Sequence, residues 1–331
     1  MKQAQCPPIS VVVIGRNEGT RLLRCLDSIR AANYPQASIE LIYVDSQSTD
    51  ASCQSAEERG ARVIRVNPSR PSAATGRNAG WTAATHDFVH FFDGDTIIHP
   101  DWFATAVAEM ADDKVACVFG RREEIAPRET IYNLWTHYDW YVPPGPAFTC
   151  AGDAIFRRDV LRKMNGFDAT LIAGEEPDLC YRIRSQLQMT ILSVAAPMTR
   201  HDMGMRYFHQ YWRRCTRTGH AYAEVGGRHP GMGRWRMHLW KNMAHVLLFV
   251  AAILCAMVLR SLWPMTAWAG LVGTLIVRNA MRLRAQTESL RDALLYSLHH
   301  YIAKLPIIVG QLDYWIRRAL RRTPKPLIEY R

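Results

Sequence analysis

Asp93-Gly94-Asp95 puts two carboxylates one residue apart, directly after the apolar run Val89 to Phe92. The run reads as a buried strand, so the acids stand where it ends. Gly94 lets the chain turn tightly between them. Carboxylates held this close repel unless a cation lies between them. Mg²⁺ or Mn²⁺ takes oxygen ligands and leaves positions open for phosphate oxygens. An acid-Gly-acid loop alone is more often a solvated turn, so the reading depends on the polar clusters around it. These are Gly15-Arg16-Asn17-Glu18-Gly19, Asp45-Ser46-Gln47-Ser48-Thr49-Asp50, Gly76-Arg77-Asn78, Gly152-Asp153 and Gly174-Glu175-Glu176-Pro177-Asp178. The last opens a predicted helix, where acids also complement the helix dipole. A structural role for some of them stands beside a chemical one.

The elements that must hold these clusters are legible in the apolar pattern. Ile9 to Ile14, Ile39 to Val44, Arg62 to Val66, the strand before Asp93, and Val115 to Phe119 read as five strands. Helical spacing lies between them (Leu22, Leu23, Leu26 and Ile29, for example), and Pro100 opens a helix over 100–111. Strands alternating with helices predict an α/β, Rossmann-like, mostly parallel sheet. Ligands of such sheets bind at the carboxyl ends of the strands, where the polar clusters lie. No GxGxxG follows the first strand and the chain has no GxxxxGK[ST], so the usual dinucleotide and P-loop chemistries are excluded. The Trp-, Tyr- and Pro-rich stretch 121–150 reads as a substrate-facing flap or a hydrophobic lid.

Charge divides the 331 residues unevenly. Residues 1–199 hold 20 Lys+Arg against 24 Asp+Glu, and residues 200–331 hold 21 against 6, together the net +11. A basic tail fits nucleic acid or anionic lipid. Here the arginines flank apolar runs, which selects an anionic membrane and no nucleic acid. Eight singly placed cysteines without a CxxC pair fit a reducing compartment. The first eight residues carry no apolar signal region, which predicts that the first domain stays in the cytosol.

Tyr207 to Arg217 mixes aromatic and basic residues as an interfacial helix does. Met243 to Leu259 and Leu262 to Val277 are uncharged runs separated by Arg260-Ser261. Arg234, Arg236 and Lys241 lie on one side, and Arg278, Arg282 and Arg284 on the other, so both flanks are placed in the cytosol. The alternative is a buried helical pair, because both runs are short. Residues 292–316, with His299 and His300, read as a further amphipathic piece whose His pair is interfacial. The domains expected are a catalytic domain over 1–205, interfacial helices over 206–240, a transmembrane hairpin over 241–280 and a basic amphipathic tail over 281–331.

Five of the quoted stretches, in this order, resemble a family 2 glycosyltransferase of the nucleotide-sugar type, with a GT-A fold. They are Val11-Val12-Val13-Ile14-Gly15-Arg16-Asn17-Glu18, Val44 to Asp50, Gly76-Arg77-Asn78-Ala79-Gly80, Asp93-Gly94-Asp95 and Gly174 to Leu179. The resemblance covers roughly 9–220. It implies a nucleotide-sugar site made of Gly15, Asn17, Glu18, Asp45, Arg77 and Asp93, with Arg77 and the acids holding diphosphate and metal. Glu176 stands at the position of the catalytic base, where Asp is usual. Gln210-Tyr211-Trp212-Arg213-Arg214 is similar to the Gln-x-x-Arg-Trp element of membrane synthases, with Arg214 in place of Trp. Ser46-Gln47 stands where Asp-Gly is common.

The chemistry follows without the name. Glycosyl transfer from a nucleotide-diphosphate sugar needs a metal to neutralise the leaving diphosphate and one carboxylate to take the acceptor proton. Asp93 and Asp95, with His201 as an additional ligand, suit Mg²⁺ or Mn²⁺. Glu176 suits the base, with Asp178 as its alternative two residues on. Asp153, Glu175, Asp178, Gln210, Arg213 and Arg214 are candidates for positioning donor or acceptor. The expected activity is inverting transfer from a nucleotide sugar, with UDP-sugars favoured, to a lipid-linked or polysaccharide acceptor at the cytosolic face of the inner membrane. Two rivals are a sugar nucleotidyltransferase, which is expected to have a Gly-rich, Lys-containing loop after strand one, and a degenerate membrane-anchored binding protein, against which the retained acids argue.

Overall fold

In a computed structural model, residues 6–68 and 72–320 are described, the side chains of 234 and 236 excepted. The tail expected over 281–331 therefore lies partly outside the described residues. The chain divides into two compact units: Met1–Ala126 with Trp140–Met203, and Pro127–Asp139 with Gly204–Arg331. The change at Met203/Gly204 lies two residues from the expected boundary at 205, and the mid-chain segment Pro127–Asp139 also belongs to the second unit.

The first unit is built on one sheet. Its strands are β1 (Ile9–Gly15), β2 (Ile39–Asp45), β3 (Arg62–Arg65), β4 (Phe88–Asp93), β5 (Thr96–Ile98), β6 (Val115–Glu124), β7 (Gly145–Pro146), β8 (Ala154–Arg157) and β9 (Thr190–His201). The order is β3-β2-β1-β4-β8-β6-β9-β5, with β7 on β9. β1 to β4 are parallel, as the apolar runs predict. Beyond β4 the sheet becomes mixed: β8 is antiparallel to β4 and β6, and β9 runs parallel to β6. Val11, Val12, Val13, Phe91 and Phe92 are fully buried at its centre, as in a strand covered on both faces.

Register does the positioning. Gly15 is opposite Asp45 across β1–β2, and Ile14 is opposite Asp93 across β1–β4, so three polar clusters leave one edge together. Helix α1 (Thr20–Arg30) follows β1, and α2 (Ser52–Glu58) follows β2. Helix α3 (Ala73–Ala83) lies so close to β1 that a Cβ on Gly80 would overlap Val12. Helix α4 (Trp102–Glu109) is seated by Trp102, whose indole N–H donates 2.6 Å to the buried His90 Nε2. Burial holds His90 down to about 4, so the imidazole is neutral and free to accept.

The second unit is helical: α5 (Ile131–Asp139), α8 (Phe208–Arg228), α9 (Gly233–Leu259), α10 (Trp263–Leu283), α11 (Leu290–Ile302) and α12 (Lys304–Ala319), with α6 (Arg158–Lys163) and α7 (Glu175–Arg182) left to the first unit. Its core gathers Leu134, Trp135 and Tyr138 of α5 with Tyr211, Cys215, Tyr296 and Ala303. The 121–150 stretch is therefore neither one flap nor one lid: it extends β6, supplies α5 to this core, and returns as β7. Of the His pair expected at the interface, one member lies inside. His299 is buried, its Nδ1 2.9 Å from the Tyr211 hydroxyl and its Nε2 donating 3.1 Å to Asp139 Oδ2. Helices α8 and α12 cross at Gly219 and Gly310, where an added Cβ would overlap the Ile307 and Thr216 carbonyls. Among the described residues one helical segment, Met237–Leu259, is long and apolar enough to cross a membrane. Its partner α10 falls short of that test, although Phe249 and Trp268 join the two, ring centroids 4.7 Å apart.

Candidate active site

The loop after β1 and the loop after β2 are tied together by Asn17. Its backbone N–H donates to Ser48 Oγ at 2.9 Å and its side-chain oxygen accepts from the Thr49 N–H at 2.7 Å. Asn17 adopts φ +54°, a left-handed conformation that Asn tolerates better than most residues. Asp45 is buried at the end of β2, accepting from the Tyr43 hydroxyl at 3.2 Å and from the Ser48 N–H at 3.0 Å. Glu18 pairs with Arg21 at 3.1 Å, and its Cγ lies 3.0 Å from where a Cβ on Gly94 would stand. Gly15, Asn17, Glu18 and Asp45 are thus brought to one rim, beside the acidic triplet.

The centre of the site is an arginine surrounded by carboxylates. Arg77, on α3, is 2% exposed; its Nη1 lies 2.8 Å from Glu175 and 3.2 Å from Glu176, and its Nη2 lies 3.0 Å from Asp93. Burial alone would lower its basicity, and the carboxylates of Glu176, Asp93 and Glu175 reverse that and keep it charged. Glu176 is pushed up to about 7, first by burial and then by the charge of Glu175, with Arg77 acting the other way. The backbone of Gly152 runs against all of them. A Cβ there would come within 2.6 Å of Arg77 Nη2, 3.1 Å of Asp93 Oδ2 and 3.4 Å of Glu176 Oε1.

A second cluster adjoins the first through one hydrogen bond. The Asp93 N–H donates to Asp153 Oδ1 at 3.2 Å. Asp153 is fully buried, and its other oxygen accepts from the Thr199 hydroxyl at 3.0 Å and pairs with His201 Nε2. Burial would raise the Asp153 carboxyl, and His201 beside it wins, holding it below the usual carboxylate range. The other ring nitrogen, Nδ1, faces Asp95 Oδ1 at 3.8 Å. That separation is too long for a hydrogen bond. A histidine oriented by a carboxylate on one nitrogen, with the other turned to an acid, is the donor set a divalent ion uses. Asp93, exposed over 41% of its side chain, and Asp95 can complete it. The donors are not pre-gathered: among the described residues no group of three or more His, Cys, Asp or Glu is arranged to hold a metal. Glu124, across β6–β9 from His201, is pushed up to about 7 by burial, against the N–H groups of Met203 and Ala126 that it accepts.

Other candidates stand apart from these clusters. Asp178 is buried and holds Arg182 at 2.8 Å, and that arginine in turn donates to the Met164 and Gly166 carbonyls. Asp178 therefore braces the 164–166 turn, and Glu176 is the acid of this helix that meets Gly152 and Arg77. Gln210 turns back to accept from the Arg206 and Tyr207 N–H groups, capping α8. Arg213 is exposed and Arg214 half-buried on the same helix, in the second unit. Gly152 and Thr199 are missing from the sequence-based set. The dipeptide Gly152-Asp153 carried a signal for the first; Thr199 had none, because β9 was not legible as a strand.

Residues 10–164 match the family model Glycosyl transferase family 2. The chain is 27% identical over 195 residues to the pre-mycofactocin glycosyltransferase of Mycobacterium tuberculosis, covering 53% of this chain and 38% of that protein. It is 25% identical over 125 residues to glycosyltransferase AglE of Haloferax volcanii, covering 37% and 41%. The matches thus span under half the length of these relatives. In three dimensions it is similar to the mannosyltransferase PcManGT of Pyrobaculum calidifontis, in complex with GDP-Man and Mn²⁺, at a TM-score of 0.67 and 20% identity over 92% of this chain and 87% of that one. TarS 1-349 of S. aureus in complex with UDP-GlcNAc gives a TM-score of 0.50 at 17% identity, covering 96% and 93%. With its strand-end acids in place, the chain carries a glycosyl transferase family 2 domain at residues 10–164, in a fold of the GT-A type.

Proposed function

We propose that the protein transfers a sugar from a nucleoside-diphosphate donor to an acceptor hydroxyl with inversion at the anomeric carbon. The observation that carries this is the convergence of Arg77, Asp93, Glu176 and the Gly152 backbone at the carboxyl ends of the parallel strands. The rim of Gly15, Asn17, Glu18 and Asp45 receives the nucleoside. Asp93, Asp95 and His201 hold a divalent cation, which when bound neutralises charge on the leaving diphosphate. Glu176 removes the acceptor's proton as its oxygen forms the new bond to the anomeric carbon and the bond to the diphosphate breaks on the opposite face. Proteins similar in fold carry GDP-Man with Mn²⁺ or UDP-GlcNAc, which supports a nucleoside-diphosphate sugar as the donor class.

The acceptor is lipid-linked or polymeric, and the protein works at the cytosolic side of the inner membrane. Support comes from the apolar segment Met237–Leu259, the exposed Leu247, Leu254 and Val258 along it, and the basic balance of residues 200–331. The test is release of nucleoside diphosphate from a panel of nucleotide sugars by detergent-solubilised full-length protein. Release is expected with a divalent metal and is lost in excess chelator. Asp95→Asn is expected to cost several kcal/mol of transition-state stabilisation, about what metal charge compensation supplies. Undiminished transfer in chelator overturns the metal role.

A further inference from the structure

Resting on that reading, we infer that Arg77 is a positioning residue: a buried counter-ion that gathers Asp93, Glu175 and Glu176, rather than a ligand of the donor's diphosphate.

Both terminal nitrogens are already engaged by carboxylates, at 2.8 and 3.2 Å for Nη1 and 3.0 Å for Nη2. The Phe167 ring lies 5.7 Å from the guanidinium carbon, and the Gly152 backbone closes on Nη2. A phosphate oxygen approaching Nη2 meets the Gly152 backbone and competes with three carboxylates already held by a buried guanidinium. Nε is buried without a hydrogen-bond partner, so the guanidinium is oriented by its two forked ends alone.

The acids come from distant places in the chain. Arg77 and Glu175 are 98 residues apart, and Arg77 and Asp93 are 16 apart. One side chain therefore sets the distance between an acid on β4 and two at the start of α7. Glu175 is itself 5% exposed and holds Nη1 at 2.8 Å, whereas Glu176, 18% exposed, is the more accessible acid. Gly152 belongs to the same device, because any side chain there would press on the guanidinium and both outer acids.

The test uses full-length protein with Arg77→Gln, Arg77→Lys, Glu175→Gln and the double variant Arg77→Gln/Glu175→Gln. Wild-type transfer decides the activity itself, so a failure of that reading shows in the wild type before any variant is made. A positioning role predicts that Arg77→Gln lowers kcat by about 10²-fold, the penalty of a small misplacement of reacting groups. KM for the nucleotide sugar and the affinity for nucleoside diphosphate stay unchanged, and Arg77→Lys recovers part of kcat. The double variant loses no more than Arg77→Gln, because the two groups act as one unit. A diphosphate ligand predicts the opposite split: KM and the nucleoside-diphosphate dissociation constant rise in Arg77→Gln, and Glu175→Gln keeps the wild-type plateau kcat. That result overturns the inference, as does full additivity in the double variant. Glu175→Gln and Arg77→Lys preserve side-chain size, so they carry the comparison if Arg77→Gln does not fold.

Discussion

Glu176 has the acidity of a group poised to change protonation near neutral pH, and the residue-scale predictions follow from that. Its carboxyl is held up to about 7 by burial and by Glu175. The base form therefore grows as pH rises through about 7, and kcat/KM is expected to climb over that interval. Glu175→Gln removes a negative neighbour, stabilises the ionised form of Glu176, and moves this limb to lower pH. A pH-rate series on the two proteins checks the sign. Glu176→Gln is expected to lower transfer by roughly 10²–10⁴-fold with donor binding retained, whereas Asp178→Asn acts through stability, since Asp178 braces Arg182. Asp153→Asn loosens His201 and is expected to weaken Mn²⁺ binding by about 10–100-fold, the usual cost of losing a carboxylate behind a metal-facing histidine; a Mn²⁺ titration reads it. The identities of these residues were legible because acids and glycines follow apolar runs. Their pairing was not. Arg77 meets Glu175 across 98 residues, and nothing local in either segment encodes that contact.

At the scale of elements, the sharpest constraint is the crossing of α8 and α12. Gly219 and Gly310 let each backbone touch the other, and a methyl group on either would overlap a carbonyl. Gly219→Ala and Gly310→Ala are each expected to destabilise the helical unit by about 1–3 kcal/mol or more, as overpacking does. Thermal unfolding of the solubilised protein should show a lower midpoint, with an equivalent change at the open Gly273 not lowering it. Sequence alone treated α8 as interfacial from its Tyr, Trp and Arg content. Aromatic and basic residues serve a buried helix equally well when one face is lined by Tyr211, Cys215, Gly219 and Ala223. The strands divide in the same way. β1, β2 and β4 are dominated by β-branched or aromatic residues, so they could be read directly. β9 alternates burial along Thr190–His201 and contains Pro197, and its pairing to β6 is set by tertiary contacts.

For the whole molecule, the membrane reading rests on Met237–Leu259 and the exposed apolar surface along it. A charge near the middle of a spanning helix costs about 2.5–3.5 kcal/mol. Leu247→Lys combined with Leu254→Lys is expected to shift full-length protein from the membrane pellet to the detergent-free, high-salt supernatant. Recovery of unaltered protein in that supernatant would identify α9 as a helix of a soluble unit instead. Removing everything after about residue 240 is the cut the hydropathy pattern invites, and the fold argues against it. Without α11, the buried face of α5 loses Tyr296 and His299, and Asp139 loses both its hydroxyl and its imidazole partner.

That inserted helix also orders events on the ribosome. α5 is complete at Asp139, but Tyr296 and His299, which cover it, are made some 160 residues later. At about 5–20 residues per second, Trp135 and Tyr138 wait roughly 8–30 s for His299 and Tyr296, Tyr211 and Cys215 having been made earlier. The sheet of the first unit is finished at His201, well inside that interval. A nascent chain caught in this window would carry a finished sheet and an incompletely covered aromatic helix, a surface of the kind that a holding chaperone binds.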